Sequence, residues 1–236
     1  MSKTNALKRI INKDIKSIKE NNLEDLGIYV KFNEDNLMEA NVMIVGPKDS
    51  IYFGGYLFFK LKFPNNYPFS PPDVAYISRN NIRIHPNLYV GHHSSGYGKV
   101  CLSILGTWSG PKWTSIMDIC SVLITLQSLL DSNPLLHEPG ITNVELCKNF
   151  RNIIFYENIK TLILKNLKDI PNGYEEFKPI MIEKFKTNKE DIKNMILNTK
   201  TNNYIINFKV YNIKDYKLEY NKLIEDFNNL ILELKI

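Results

Sequence analysis

The sequence is poor in cysteine and histidine, and it has no long apolar run. Three cysteines among 236 residues, Cys101, Cys120 and Cys147, cannot all pair within one chain. The odd number fits a reducing compartment better than a disulfide framework. No Cys-x-x-Cys occurs. Of the four histidines, His92 and His93 are adjacent, which is not a zinc-ligand spacing, so no metal site is expected. No G-x-x-x-x-G-K-[ST] phosphate loop is present. No stretch approaches the ~18–20 apolar residues that cross a bilayer, so no membrane span is expected. The opening MSKTNALKRIINKD carries a charge every few residues instead of an apolar core, so a secretory leader is not expected either. No Asn-x-Ser/Thr sequon occurs, which agrees with a cytoplasmic or nuclear setting.

What is present is ordinary for a folded domain. Hydrophobic residues make up 44% and charged residues 23%, enough apolar matter to exclude disorder as the main state. The length allows one large domain, or one domain with an extension. The net charge is +5. Lys, Ile and Asn dominate, which reads first as the codon bias of an AT-rich genome. The basic residues lie among acids instead of in one stripe, so no nucleic-acid partner is expected.

Periodicity divides the chain. Leu7, Ile11, Ile15 and Ile18 predict a helix over residues 3–22 with these four on the packed face and Lys and Asp on the other. From Leu26 to Arg79 the period falls to two, and GIYVKFNE, NLMEANVMIVG, GYLFFKLKF and DVAYISR each read as a strand. The short turns between them predict an antiparallel meander, and Pro68, Pro71 and Pro72 must leave the sheet. Residues 80–114 have no sustained period and read as an irregular functional loop. Ile116, Ile119, Leu123, Leu126 and Leu130 predict a central core helix over 115–130, capped by Ser115 and stopped at Asn133-Pro134. After Gly140 the chain reads as helical to its end. Phe150, Ile153, Ile154, Leu162 and Leu167 mark one helix, and Tyr220, Leu223, Ile224, Phe227, Leu230, Ile231 and Leu234 mark the last. Pro171-Asn172-Gly173 is the expected boundary. It would separate a core over 1–170 from a helical extension over 171–236 packed on it.

Cys101 stands in G-K-V-C-L-S-I-L. A cysteine between Val100 and Leu102 reads on its own as a small buried hydrophobe, as do Cys120 and Cys147. Cys101 differs because it ends the aperiodic loop that begins at His85-Pro86-Asn87. No papain-like or caspase-like signature surrounds it.

The order of motifs resembles the ubiquitin-conjugating enzyme family. It runs A-L-K-R-I (Ala6–Ile10), then G-P-x-D-S…Y-x-G-G (Gly46–Gly55), then F-P-x-x-Y-P-F-x-P-P (Phe63–Pro72). H-P-N (His85–Asn87), G-K-V-C-L-S-I-L (Gly98–Leu105) and N-P (Asn133-Pro134) follow. Gly98–Trp113 and N-P-x-x-x-E-P-G (Asn133–Gly140) are most similar to the long Z-type members, which also carry a C-terminal extension. The resemblance implies an α+β fold: an N-terminal helix, a four-stranded antiparallel meander, an irregular active-site loop, a central helix and a helical C-terminal part. It implies that Cys101 receives ubiquitin or a ubiquitin-like protein as a thioester from an activating enzyme. With a ubiquitin ligase, the enzyme would then pass it to a substrate lysine. ATP would be used by the activating enzyme, and this chain would need no cofactor. A monomer is expected.

The same resemblance assigns Asn87 to the oxyanion of the transfer step, or to organising the loop, and His85 and Pro86 to shaping it. Tyr89–Tyr97 reads as a flexible polar insert between Asn87 and Cys101. Glu138 and His137 are the nearest candidates for orienting the incoming lysine. Lys8 and Arg9 match positions that face the activating enzyme, and Phe69, Trp113 and Ser115 match the ligase contact. Two other readings stand beside this one: a non-catalytic ubiquitin- or ligase-binding module of the same fold, and an unrelated thiol hydrolase. The enzyme reading expects the Cys101 sulfur to lie open to solvent in a shallow groove.

Overall fold

The computed structural model describes residues 3–199 and 202–236, and the chain divides into two units. The first is the chain up to Val45 with Leu57–Ser78 and Asn87–Leu130, and the second is Gly46–Tyr56, Arg79–Pro86 and Asp131–Ile236. The Pro171-Asn172-Gly173 turn falls inside the second unit.

The first unit opens with a helix in three pieces: α1 (Lys3–Arg9), a π-helical turn (Ile10–Asp14) and α2 (Ile15–Glu20). The Ile15 N–H reaches back five residues to the Ile10 carbonyl, the mark of a π turn. The packed stripe differs from the one that apolar spacing predicts. Ala6, Ile10, Asp14 and Ser17 are buried, while Leu7, Ile15 and Ile18 are half-buried and Ile11 is 50% exposed. Polar partners override apolar spacing here. Asp14 Oδ1 accepts from the Tyr67 hydroxyl and, at 2.9 Å, from the Ile119 N–H. Ser17 Oγ donates to Asp118 Oδ2 at 2.8 Å. Asp14 therefore belongs to the inner face, not the outer one.

Four strands form the expected meander: β1 (Ile28–Phe32), β2 (Glu39–Val45), β3 (Tyr56–Lys62) and β4 (Asp73–Tyr76). Val30 stands opposite Val42, and Leu61 opposite Val74. The supposedly irregular stretch adds β5 (Leu88–His92) and β6 (Gly98–Val100), giving one sheet in the order β1-β2-β3-β4-β6-β5. These two strands are too short, and too interrupted by Gly91, His92 and Gly96 at positive φ, to show a period of two. Val42, Met43 and Ile44, and likewise Leu57, Phe58 and Phe59, are buried at consecutive positions. Because neighbouring strand residues point to opposite faces, both faces of the sheet centre are removed from water.

The central helix α3 spans Ile119–Ser128 and buries Ile119, Cys120, Val122, Leu123 and Leu126. It starts later than its apolar pattern suggests. The cap is Asp118, whose Oδ1 accepts from the Ser121 N–H at 3.1 Å, not Ser115, and Ile116 is 78% exposed. An aspartate accepts the orphan N–H groups of a first turn well, and the buried Asp14 takes a further one.

In the second unit α4 (Val144–Glu157) continues through a π-helical segment (Asn158–Lys165) into α5 (Asn166–Lys168). It buries Phe150, Ile153, Ile154, Leu162 and Leu167 as the spacing predicts. Asn158 donates to the Phe53 carbonyl at 3.0 Å and Asn166 to the Tyr56 carbonyl at 2.9 Å, so this helix grips the Y-x-G-G turn. A Cβ on Gly55 would lie 2.0 Å from Asn158 Oδ1, which is why glycine stands there. Pro179 is the second residue of α6 (Lys178–Asn198), in the first turn, where it costs no intrahelical bond. The expectation of helix to the end is then corrected. β7 (Tyr204–Phe208) and β8 (Ile213–Leu218) form an antiparallel hairpin before α7 (Tyr220–Leu234). Alternation in YIINF and IKDYKL is visible, but the surrounding helical periods mask segments this short.

Burial raises the Asp14 pKa above its ordinary 3.8. A raised acid pKa stabilises the fold fully below 3.8, and that contribution is lost as pH rises through the raised value. Asp14→Ala leaves the Tyr67 hydroxyl and the Ile119 N–H without their acceptor and is expected to cost about 2–4 kcal/mol. Asp14→Asn keeps an acceptor, costs less, and lacks the wild-type decline between acid and neutral pH. Urea unfolding of the three proteins at pH 4 and pH 7 measures both effects.

Candidate active site around Cys101

Cys101 directly follows β6, and its position is set by the β5–β6 hairpin. Leu88 pairs with Val100. One rung further, the Cys101 N–H donates to the Asn87 carbonyl at 2.9 Å. The Asn87 side chain returns to the same residue, its Nδ2 donating to the Cys101 carbonyl at 2.7 Å. Asn87 thus holds both polar groups of the Cys101 main chain. Fourteen residues separate the two along the chain, yet the insert does not part them, because it is the hairpin itself. The His93 N–H donates to the Tyr97 carbonyl at 3.1 Å and the Gly96 N–H to the His93 carbonyl at 2.9 Å. His93 is tied down by Asp73 Oδ1 at 2.9 Å and Ser95 Oγ at 2.7 Å. Tyr89–Tyr97 is therefore structured, where the sequence suggested a flexible insert. A Cβ on Gly98 would lie 2.1 Å from the Tyr89 carbonyl oxygen, so the close approach of these strands requires glycine.

The chain after Cys101 is clasped by Thr107, a residue that motif reading passed over. Its hydroxyl donates to the Val100 carbonyl at 2.8 Å and accepts the Leu102 N–H at 2.9 Å. Its own N–H donates to the Leu102 carbonyl at 3.1 Å. Between these points a 3-10 turn (Ser103–Leu105) ends at Gly106 in the left-handed region. The G-T pair of G-K-V-C-L-S-I-L-G-T-W was the signal available: a hydroxyl six residues after the cysteine, beside a turn glycine.

Cys101 itself is 2% exposed, so the expectation of a sulfur open to solvent is not met. Its main chain is paired by Asn87, and Thr107 pairs the main chain of Val100 and Leu102 on either side of it. A cavity of about 480 Å³ runs alongside, lined among others by Val74, Lys99, Val100, Leu105 and Thr107, but Cys101 does not line it. Cys120 and Cys147 are also buried, and burial pushes the Cys120 thiol up to about 11.

The remaining sequence-predicted residues fall into three groups. Trp113 Nε1 donates to the Pro68 carbonyl at 2.6 Å, which ties the Trp113 loop to the proline-rich loop and leaves Phe69 58% exposed. Arg9 donates to the Met117 carbonyl at 2.8 Å and lies 3.5 Å from the Ser115 carbonyl. Its guanidinium therefore serves this loop, while Lys8 is exposed. His85, Pro86, His137 and Glu138 belong to the second unit. There the His85 and His137 rings lie 4.9 Å apart, His137 Nε2 meets Asp131 Oδ2 at 2.9 Å, and Glu138 Oε2 accepts from the Tyr211 hydroxyl at 2.6 Å.

Comparison with known proteins bears on this arrangement. A family model described as ubiquitin-conjugating enzyme matches residues 10–160, a stretch that includes Asn87, Cys101 and Thr107. Ubiquitin-conjugating enzyme E2 Z of Xenopus tropicalis is 36% identical over 147 residues, 60% of this chain and 45% of that protein. The Homo sapiens protein of the same name is 37% identical over 142 residues, 58% of this chain and 38% of that one. A ubiquitin-conjugating enzyme E2 of African swine fever virus is 30% identical over 183 residues, 75% of this chain and 78% of that protein. The chain spans less than half the length of the E2 Z relatives it matches.

Thr107→Val removes the hydroxyl at constant volume. It is expected to cost about 1–3 kcal/mol in urea unfolding and to speed alkylation of Cys101 by iodoacetamide, with Cys120 unchanged. Timed alkylation with peptide mapping by mass spectrometry reads each cysteine separately.

Proposed function

The chain belongs to the ubiquitin-conjugating enzyme family, and from that premise we propose that Cys101 carries ubiquitin, or a ubiquitin-like protein, as a thioester. In the first step Cys101 Sγ attacks the thioester carbonyl on the activating enzyme. A new C–S bond forms, the old one breaks, and the departing thiolate takes up a proton. The exchange is nearly isoenergetic, so a modest thiolate fraction suffices. In the second step a lysine Nζ attacks, the amide C–N bond forms, and Cys101 leaves as thiolate while the amine proton goes to solvent. ATP is used by the activating enzyme, and this chain needs no cofactor for either step.

The observation that carries the reading is the double hold of Asn87 on Cys101, inside the stretch that the family model matches. Asn87 first organises the loop, since its amide is bonded to the Cys101 carbonyl. The same amide is the donor nearest in chemistry to what a developing oxyanion needs, and comparable donors are worth about 10²–10³ in rate. Phe69, Trp113 and the Ser115 loop supply a ligase contact on this reading, and Lys8 an activating-enzyme contact. Glu138 and His137 are the candidates for receiving the lysine. We take the protein to act as a monomer in the cytoplasm or nucleus.

The buried thiol sets a condition on this reading: charging goes with local opening of the 101–107 segment. It is also the observation that favours the second reading, a non-catalytic ubiquitin- or ligase-binding module. One experiment separates them. Incubation with an activating enzyme, ATP and ubiquitin, followed by a non-reducing gel, is expected to give one adduct that dithiothreitol removes. Cys101→Ala abolishes it, while Cys120→Ser and Cys147→Ser keep it. Asn87→Ala lowers transfer from the adduct to free lysine by about 10²-fold. Ubiquitin binding with no adduct, across ubiquitin and ubiquitin-like proteins each with its own activating enzyme, would leave the binding module as the answer.

A further inference from the structure

Two residues before Cys101 stands a lysine, and the strand that carries it is fixed on both edges. In β6 Gly98 and Val100 are buried and Lys99 is half-buried. Lys99 lies opposite Ala75 of β4, and Val100 opposite Leu88 of β5. The extended run continues past the end of the strand. The Cys101 N–H reaches the Asn87 carbonyl, one rung beyond the Leu88–Val100 pair, and Leu102 has φ −133 and ψ 140. Side chains alternate between the two faces of a sheet, so Lys99 and Cys101 leave it on the same face, with Cα atoms roughly 6.6 Å apart. The four-carbon stem of a lysine is long and flexible enough to cover that interval. Among the described residues no carboxylate pairs with the Lys99 ammonium.

At rest the amine and the thiol are kept apart. Lys99 lines the cavity of about 480 Å³ together with Val100, Leu105 and Thr107, and Cys101 does not line it. Leu105 and Thr107 lie in the 101–107 segment whose opening goes with charging. The motion that uncovers the thiol therefore also removes a wall from the Lys99 cavity. Lys99 stays in place, because its position is set by the pairing with β4 and not by Thr107. We propose that Lys99 is an acceptor within the same chain: once Cys101 is charged, the Lys99 amine takes the modifier from it, and the chain blocks its own site. This rests on the reading of Cys101 as the acyl carrier. The unprotonated Lys99 Nζ attacks the thioester carbonyl carbon. A C–N bond forms, the C–S bond breaks, Sγ leaves as thiolate and takes up a proton, and the amine proton goes to solvent. No further reactant is needed. Holding two reacting groups on one strand makes the step unimolecular and gives it an advantage over lysines in solution.

The test uses the full chain, charged by an activating enzyme and ATP with ubiquitin, or with whichever ubiquitin-like protein loads it. The activating enzyme is then quenched, and the adduct is followed with and without dithiothreitol. The adduct that dithiothreitol removes is expected to convert into one that it leaves intact, and peptide mapping by mass spectrometry places the remnant on Lys99. The conversion keeps the same rate over about a hundredfold range of protein concentration, as a unimolecular step must. Lys99→Arg keeps the charge and the strand. It still charges, its thioester lasts about tenfold longer, and the resistant adduct is lost. Lys62→Arg changes the other lysine of the cavity and leaves the conversion as in wild type. Uncharged Cys101→Ala protein, added to charged wild type, stays unmodified at Lys99. An adduct that remains removable, a remnant on Lys62 in place of Lys99, or modification of the added Cys101→Ala chain overturns the proposal and leaves the proposed function standing. A chain that charges with neither ubiquitin nor a ubiquitin-like protein overturns the proposed function, and this inference with it.

Discussion

Everything near Cys101 depends on one reciprocal arrangement, in which Asn87 takes both the N–H and the carbonyl of the Cys101 peptide. Buried main-chain groups must be paired, or they cost the full desolvation penalty. A side-chain amide that meets the carbonyl while the main chain meets the N–H satisfies both groups from one residue. The hairpin between them makes this possible at a separation of fourteen residues, because closing a hairpin brings its ends together whatever its length. The insert is thus neutral to the site's geometry. Its own turn is stabilised by His93, held between Asp73 and Ser95.

A second buried polar group does similar work at the other end of the first unit. Asp14 sits in the helix where an apolar residue would fit the periodicity, and its carboxyl takes the Tyr67 hydroxyl and the first N–H of the central helix. Tyr67 precedes Pro68, whose carbonyl receives Trp113. The helix, the proline-rich loop, the Trp113 loop and the start of α3 are joined through one short chain of contacts. Arg9 adds to it from the next turn through the Met117 carbonyl. A residue expected to face a partner therefore has an internal duty, and this network accounts for why α3 begins at Ile119 and not at Ser115.

The sequence was legible where burial follows regular periods. The meander, α3, the helix through Phe150 and Leu167 and the last helix all show their spacing openly, since each has an apolar face repeated over several turns or rungs. It was less legible where polar pairing decides. Asp14 and Ser17 shift the first helix's packed stripe, and no count of apolar residues reveals that. Short strands such as Gly98–Val100 and Tyr204–Phe208 offer too few residues for a period. At the candidate site, the ordered motifs pointed to Asn87 and Cys101, which the fold pairs through the main chain. They did not name Thr107, which meets main-chain groups that only the fold brings near.

The burial of Cys101 is the point where fold and chemistry press against each other. A thiol that exchanges acyl groups must meet a large partner, and on the proposed function that thiol is Cys101, which is 2% exposed. The segment that follows it is a turn whose two ends are joined by the hydroxyl and N–H of Thr107. Local openings of that type cost far less than global unfolding, because they break a few bonds and expose little apolar surface. On the other side Asn87, just before β5, holds both the N–H and the carbonyl of Cys101. Release at Thr107 would free the main chain on both flanks of Cys101 while the two bonds from Asn87 to the Cys101 N–H and carbonyl stay in place.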